Sequence, residues 1–117
     1  MQIDIQTRPF TLSEPLRYYS ERRIRFALTR FEDHIQRVSM WLSDVNGPRG
    51  GKDKHCRLQI VLAGTNDVLI EDTQLNLHVA INRSLERAGR SLVRKLDRQR
   101  SRMQRSRIDA AESSAPA

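Results

Sequence analysis

The sequence contains very little cysteine and no long apolar segment. Its one cysteine, Cys56, excludes an internal disulfide, which is typical of proteins from reducing compartments. No apolar run approaches the roughly 18 residues needed to span a bilayer. The first residues alternate apolar and polar types, so they lack the basic-then-apolar order of a secretion signal. We therefore expect a cytoplasmic protein without a membrane-spanning segment.

Residues for catalysis or metal binding are also sparse. The histidines His34, His55 and His78 are scattered, and no cluster of histidine and cysteine has the spacing of metal ligands. Adjacent carboxylates stand at the ends of predicted elements, where turns and caps account for them. We expect a protein that is not an enzyme and that uses no cofactor, metal or small-molecule substrate.

Periodicity predicts six elements in the order β-α-β-β-β-α. Strand-like alternation covers residues 1–7, 37–44, 54–63 and 67–73, and amphipathic helices are predicted at 14–32 and 76–104. Each of the last three strands has one apolar face, as in an antiparallel sheet covered by helices on one side. The prediction is an α+β domain at 1–105, in which two helices pack on one face of a four-stranded sheet. A disordered polar tail is predicted at 106–117.

Basic residues are in excess, and their distribution is uneven. The net charge is +7. Residues 1–73 contain eleven basic and ten acidic side chains, whereas residues 74–107 contain ten basic and two acidic ones. Almost the whole excess therefore lies in and around the second predicted helix. Charge this concentrated indicates a polyanionic partner, either nucleic acid or an acidic membrane surface.

Five arginines of the second predicted helix recur every three or four residues. We call them the arginine row: Arg83, Arg87, Arg90, Arg94 and Arg98. At about 100° per residue they lie opposite an apolar stripe that consists of Leu77, Ile81, Leu85, Ala88, Leu92 and Leu96. A plain solvated face usually mixes charges of both signs, but here only Glu86 and Asp97 interrupt the basic residues. Because a guanidinium matches phosphate oxygens with paired donors, the row predicts contact with a nucleic-acid backbone.

Further candidates lie outside the arginine row. Arg22 and Arg25 on the first predicted helix could extend the basic surface if the helices lie side by side, or could be an ordinary solvated face. Lys52 and Lys54 lie at the end of a glycine-rich segment that predicts a mobile, RNA-contacting hairpin loop, with a mere spacer as the alternative. Trp41 could stack on a base or could simply pack at the sheet edge.

Several stretches of the chain resemble one protein family. These stretches are Ser13–Tyr19, Ala27–Phe31, Ile35–Val38, Leu77–Ile81 and Glu86–Leu92. Together with the order of elements, they resemble the ribosome hibernation-promoting factors, also called ribosome-associated translation inhibitors or sigma-factor modulation proteins. The resemblance covers roughly residues 1–105.

The resemblance implies a double-stranded-RNA-binding-like fold that binds the small ribosomal subunit and its rRNA. Members of the family occupy the tRNA and mRNA path and keep idle ribosomes inactive. The basic contacts of the family's second helix match Arg87, Arg90, Arg94 and Arg98, and Arg23 matches a basic position of the first helix. Arg23 nevertheless projects nearer the apolar face than Arg22 or Arg25. Because the second domain of long members is absent from the sequence, we expect a monomer that does not pair ribosomes directly.

Two other functions are compatible with the charge distribution alone. A general RNA-binding protein or chaperone needs only the basic surface. A protein-interaction module would instead dock the second helix on an acidic partner. A membrane-surface role is the least favoured, because the apolar face of the helix is needed for the core.

Overall fold

The secondary structure follows the predicted order of elements. The computed structural model describes residues 1–44 and 53–113, with side chains as far as residue 102. Its elements are β1 (Gln2–Arg8), α1 (Glu14–Leu28), a short 3₁₀ helix (Thr29–His34), β2 (Ile35–Asp44), β3 (Lys54–Leu62), β4 (Val68–Gln74) and α2 (Leu77–Ser113). The predicted β-α-β-β-β-α order and the α+β class are confirmed. No helix in these two ranges is long and apolar enough to cross a membrane.

The local sequence explains where α1 begins. The Oγ atom of Ser13 accepts a hydrogen bond from the Leu16 N–H at 3.3 Å, which caps the first turn. Glu14 adds a negative charge where the helix dipole is positive, and Pro15 is tolerated because N–H groups of the first turn have no helical partner. These three residues therefore start the helix at the predicted position.

The end of α1 differs from the prediction, which continued the α-helix to residue 32. The chain winds more tightly after Leu28 and continues as the 3₁₀ helix. This tighter winding places Phe31 in the core and leads directly into Ile35, the first residue of β2. The connection is therefore compact as well as helical.

The four strands form one mixed sheet in the order β1-β2-β3-β4. As predicted, β2, β3 and β4 are antiparallel neighbours, whereas β1 pairs in parallel with β2. One row across the sheet has buried side chains and consists of Ile5, Met40, Leu58 and Ile70. The next row points its side chains to the opposite face and consists of Gln6, Trp41, Arg57 and Glu71.

The hydrophobic core lies between the two helices and one face of the sheet. α1 contributes Ile24 and Leu28, and neither side chain is exposed. α2 contributes a stripe of buried side chains that includes Ile81, Leu85, Ala88 and Leu92. Each helix is therefore held by one apolar side, so its opposite side faces solvent.

α2 extends beyond its predicted end at residue 104. It is helical to Ser113, so residues 106–113, which were predicted to belong to a disordered tail, are helical instead. The segment contains helix-favouring Arg, Ala and Glu residues, and no glycine or proline interrupts it before Pro116. Residues 114–117 lie outside the described residues. At about 1.5 Å per residue, α2 is roughly 55 Å long.

Candidate nucleic-acid interface

The arginine row lies on the solvent side of α2. The buried stripe of α2 packs on β3 and β4, and the five arginines lie outside this stripe and are all exposed. The contact of the row with a nucleic acid stays a prediction.

Two arginines of the row are bound to β4. The Nε atom of Arg83 lies 3.5 Å from a carboxylate oxygen of Asp72. Arg87 donates a hydrogen bond of 2.7 Å to the main-chain carbonyl of Glu71. Periodicity could not reveal either partner, because it places a residue on a helix face without showing which strand lies beside that face. These two guanidiniums are partly engaged in holding α2 against β4.

The other three arginines of the row are available for an external ligand. Arg90, Arg94 and Arg98 are exposed and form no hydrogen bond or ion pair with residues in the described ranges. Arg100 and Arg102 are exposed on the next turn as well. The basic surface whose guanidinium groups have no partner among the described residues therefore begins near the middle of α2 and continues toward its C-terminal end.

One arginine of α1, Arg23, adjoins this surface, whereas the sequence pattern favoured Arg22 and Arg25. Arg23 Nε donates to Asn82 Oδ1 of α2 at 2.9 Å, and Asn82 Nδ2 donates to the Tyr19 hydroxyl at 2.9 Å. Arg22 and Arg25 are exposed on α1 and form no hydrogen bond or ion pair with the described residues of α2. Periodicity did not favour Arg23, because it projects near the apolar face of α1, and only the family resemblance pointed to it. That same projection lets Arg23 reach α2.

Arg22 and Arg30 show how aromatic side chains accompany the arginines of α1 and the following turn. Arg22 donates to the Tyr18 hydroxyl at 3.2 Å, and its guanidinium carbon lies 5.6 Å from the centre of that ring. The corresponding distance from Arg30 to the Phe31 ring is 4.5 Å. Such cation–π contacts orient guanidinium groups without neutralising them.

Of the two lysines predicted to contact RNA at the end of the glycine-rich segment, the structure describes only Lys54. Lys54 forms a 2.7 Å ion pair with Asp44 and lies 3.6 Å from a carboxylate oxygen of Asp53. The hydrogen bond to Asp44 raises the pKa of Lys54 above its ordinary value. Its charge is thus compensated within the protein, which weakens the prediction that it contacts phosphate. Lys52 lies outside the described residues.

Trp41 lies on the sheet face that the helices leave open. It is partly buried, and the guanidinium carbon of Arg57 lies 5.4 Å from the centre of its ring. Arg57 also approaches Glu71 at 3.7 Å. The side chains of this cluster lie on the face of the sheet opposite to α2, and Glu71 also contacts the arginine row because its main-chain carbonyl accepts from Arg87.

Comparison with known proteins identifies the family. A family model described as sigma 54 modulation protein / S30EA ribosomal protein matches residues 3–100. The chain belongs to this family. The S30EA match ends within the described part of α2, so the segment 101–113, which is also helical, continues past the matched region. No curated protein sequence matches the chain.

Two solved structures of similar fold support the architecture. The N-terminal domain of protein Y from Thermus thermophilus is 23% identical, with a TM-score of 0.67, and the match covers 80% of this chain and 98% of that one. A ribosomal subunit interface protein from Coxiella burnetii is 14% identical, with a TM-score of 0.69, and the match covers 83% of this chain and 99% of that one. At these identities the likeness establishes the fold.

The S30EA family description names a modulation protein and a ribosomal protein, and it does not name an enzyme. In the described ranges, no group of three or more His, Cys, Asp or Glu side chains is arranged to hold a metal ion. The chemistry that the described surface offers is therefore mainly electrostatic, through guanidinium groups on a rigid helix.

Proposed function

We propose that this chain binds the small ribosomal subunit in the cytoplasm and keeps idle ribosomes inactive. The arginine row contacts rRNA phosphates, and the bound protein occupies the path of tRNA and mRNA. The observation that carries this proposal is that Arg90, Arg94 and Arg98 are exposed, with no hydrogen-bond or ion-pair partner among the described residues, on a helix whose other side is buried in the core. Family membership and the ribosomal title of the Coxiella burnetii protein support the choice of the ribosome as the polyanion.

The physical argument rests on pre-organisation of the guanidinium groups. Arg90, Arg94 and Arg98 follow one another at intervals of four residues on one helix face and repel one another, and a ligand that neutralises them removes this cost. Backbone positions on α2 are fixed by burial of its apolar side, and therefore little backbone entropy is lost when phosphates bind. Each phosphate contact displaces condensed counterions, so affinity should fall steeply as salt increases.

The test is co-sedimentation of the protein with ribosomes over a range of salt concentrations. Replacing Arg90, Arg94 and Arg98 with glutamine should weaken binding at every salt concentration. The slope of log affinity against log salt should decrease by roughly 2–3 units, because three phosphate contacts are lost.

A matched control removes the same charge from other surfaces. Arg8, Arg17 and Arg37 are exposed on β1, α1 and β2, and glutamine at these three positions lowers the net charge equally. This control should retain nearly the wild-type slope. Equal losses in both triple variants would show that only net charge matters, as in a general RNA chaperone. Retention of binding after nuclease treatment would indicate an acidic protein partner instead.

A further inference from the structure

α1 and α2 run side by side in the same direction and leave a groove between them. The ring centres of Tyr19 and His78 lie 4.4 Å apart near the start of both helices, and Arg23 meets Asn82 one turn later. Beyond this pair the helices enclose an open space of about 660 Å³. We call this space the inter-helix groove. Its principal lining residues are Phe26, Arg30, Glu86, Gly89, Arg90 and Arg94.

Phe26 forms one wall of the inter-helix groove and is 79% exposed. An aromatic ring this exposed contributes little to the core, and α1 has other positions that fill the core. The guanidinium carbon of Arg23 lies 5.4 Å from the ring centre, and Arg23 is itself held by Asn82. The ring is thus an apolar platform beside a fixed positive charge, a combination that suits a nucleobase.

Gly89 lies in the floor of the inter-helix groove and has no packing role within the protein. A Cβ atom built at this position would meet nothing within 4 Å. Glycine in a helix interior is less stable than alanine by about 1 kcal/mol, so helix propensity does not favour it at this position. Because no neighbouring side chain needs the space, the glycine leaves the groove floor open to a ligand.

The charges around the inter-helix groove distinguish its rim from its interior. Arg30, Arg90 and Arg94 supply cations from both sides. Glu86 is the acidic residue that lines the groove. A carboxylate repels phosphate but accepts hydrogen bonds from the amino group of a base such as cytosine. The arrangement therefore fits a nucleotide whose base enters the groove while its flanking phosphates lie against the arginines.

We propose that the inter-helix groove binds an unpaired RNA base, with Phe26 as the stacking platform and Gly89 as the open floor. The inference rests on the proposed function in taking RNA as the ligand, and it adds that one element of the bound RNA is single-stranded. Unstacked bases are commonly held on aromatic side chains, whereas paired bases cannot reach such a groove.

The test compares short single-stranded RNA carrying a fluorescent purine analogue with a duplex of the same length. Wild-type protein should quench the analogue in the single strand and bind the duplex more weakly. Phe26→Ala should weaken single-strand binding roughly 5- to 150-fold and abolish quenching, since stacking on an aromatic ring is lost. Phe26→Trp should restore both. Leu75→Ala removes an exposed apolar side chain outside the groove, and it should leave both unchanged.

Gly89→Leu provides a second variant that fills the groove without removing a contact. It should fold with at least wild-type thermal stability, because glycine is replaced by a better helix former in open space. Its single-strand affinity should fall as far as that of Phe26→Ala. Wild-type affinity in both variants would overturn the groove proposal.

The outcomes separate this inference from the proposed function. If the protein co-sediments with ribosomes but the Phe26 and Gly89 variants bind single-stranded RNA as tightly as the wild type, the groove inference is overturned and the proposed function is retained. Single-strand binding that depends on both residues, with no co-sedimentation, supports the groove site and overturns the ribosome proposal.

Discussion

Cys56 lies near the start of β3 with its side chain fully buried. Burial, supported by the nearby negative charge of Asp72, raises the pKa of the thiol from 9.0 to about 11, while the neighbouring hydroxyl of Ser84 partly offsets the increase. The thiol therefore stays protonated at neutral pH. Because the thiolate is the reactive species, the native protein should resist alkylation.

The raised pKa of Cys56 predicts a loss of stability in alkaline solution. The folded state keeps its thiol proton in the window between about pH 9 and 11, where the unfolded state loses it. The free energy of unfolding should then fall by up to about 2–3 kcal/mol as pH rises through this window.

The check is urea unfolding at several alkaline pH values for the wild type and for Cys56→Ala. The variant should start less stable because of the cavity, but it should lose less stability across the window. Parallel curves for the two proteins would show that the thiol is not the group responsible.

At the scale of single residues, the sequence predicted exposure well and partners poorly. Periodicity placed the arginine row on the solvent side because each helix position has a fixed direction. It could not show that Arg83 and Arg87 bind to β4, or that Lys54 lies between two carboxylates. Those contacts depend on how separate elements pack. Phe26 was not singled out, although the same projection turns it away from Ile24 and Leu28; its position beside α2 depends on how the two helices pack.

At the scale of elements, the pairing of α1 with α2 depends on one polar side chain. Asn82 accepts from Arg23 and donates to Tyr19, so a single amide joins two residues of the other helix. Both hydrogen bonds are partly buried, where they are stronger than in open solvent. The amide therefore sets the relative position of the two helices and, with it, the width of the inter-helix groove.

Asn82→Ala should remove both hydrogen bonds and lower the free energy of unfolding by roughly 1–3 kcal/mol. The measurement is the urea midpoint at neutral pH. Asn66→Ala is a suitable control, because Asn66 is exposed and its side chain forms no hydrogen bond with residues in the described ranges. An unchanged midpoint in Asn82→Ala would show that Ile24, Leu28 and the rest of the core hold the helices together without it.

The order of elements was predictable, but their directions were only partly so. Alternation of apolar residues is a property of each strand by itself, so it revealed β1 without revealing its parallel pairing with β2. The same limit applies to α1 and α2. Their apolar stripes indicated one shared core, and their parallel alignment follows from contacts between residues nearly sixty positions apart, such as Arg23 and Asn82.

At the scale of the whole molecule, the protein is an elongated body with its charge concentrated along one helix. The principal extents are 73 × 25 × 18 Å, and α2, at roughly 55 Å, is the longest of the described elements. Among the side chains that the structure describes, Leu96 is the last apolar one of α2 packed on the core. The predicted domain, residues 1–105, therefore includes at least two helical turns beyond that contact.

A chain that ends at residue 105 tests the predicted domain boundary. Its free energy of unfolding, measured with urea, should equal that of the full chain to within about 0.5 kcal/mol, because the core contacts of α2 are retained. The truncation removes one basic and two acidic residues, so the net charge rises and ribosome binding should not weaken. A lower midpoint would place the boundary further along α2.

The contacts between α2 and β4 have a consequence for solubility. β4 is an edge strand of the sheet, and free main-chain groups on such an edge can pair with a strand of another molecule. Arg87 donates to the carbonyl of Glu71, and Lys95 donates to the carbonyls of Asn66 and Asp67 just before the strand. An incoming strand would have to displace both cations and approach their charge. The helix that presents arginines outward thus also covers the β4 edge of the sheet against pairing with another strand.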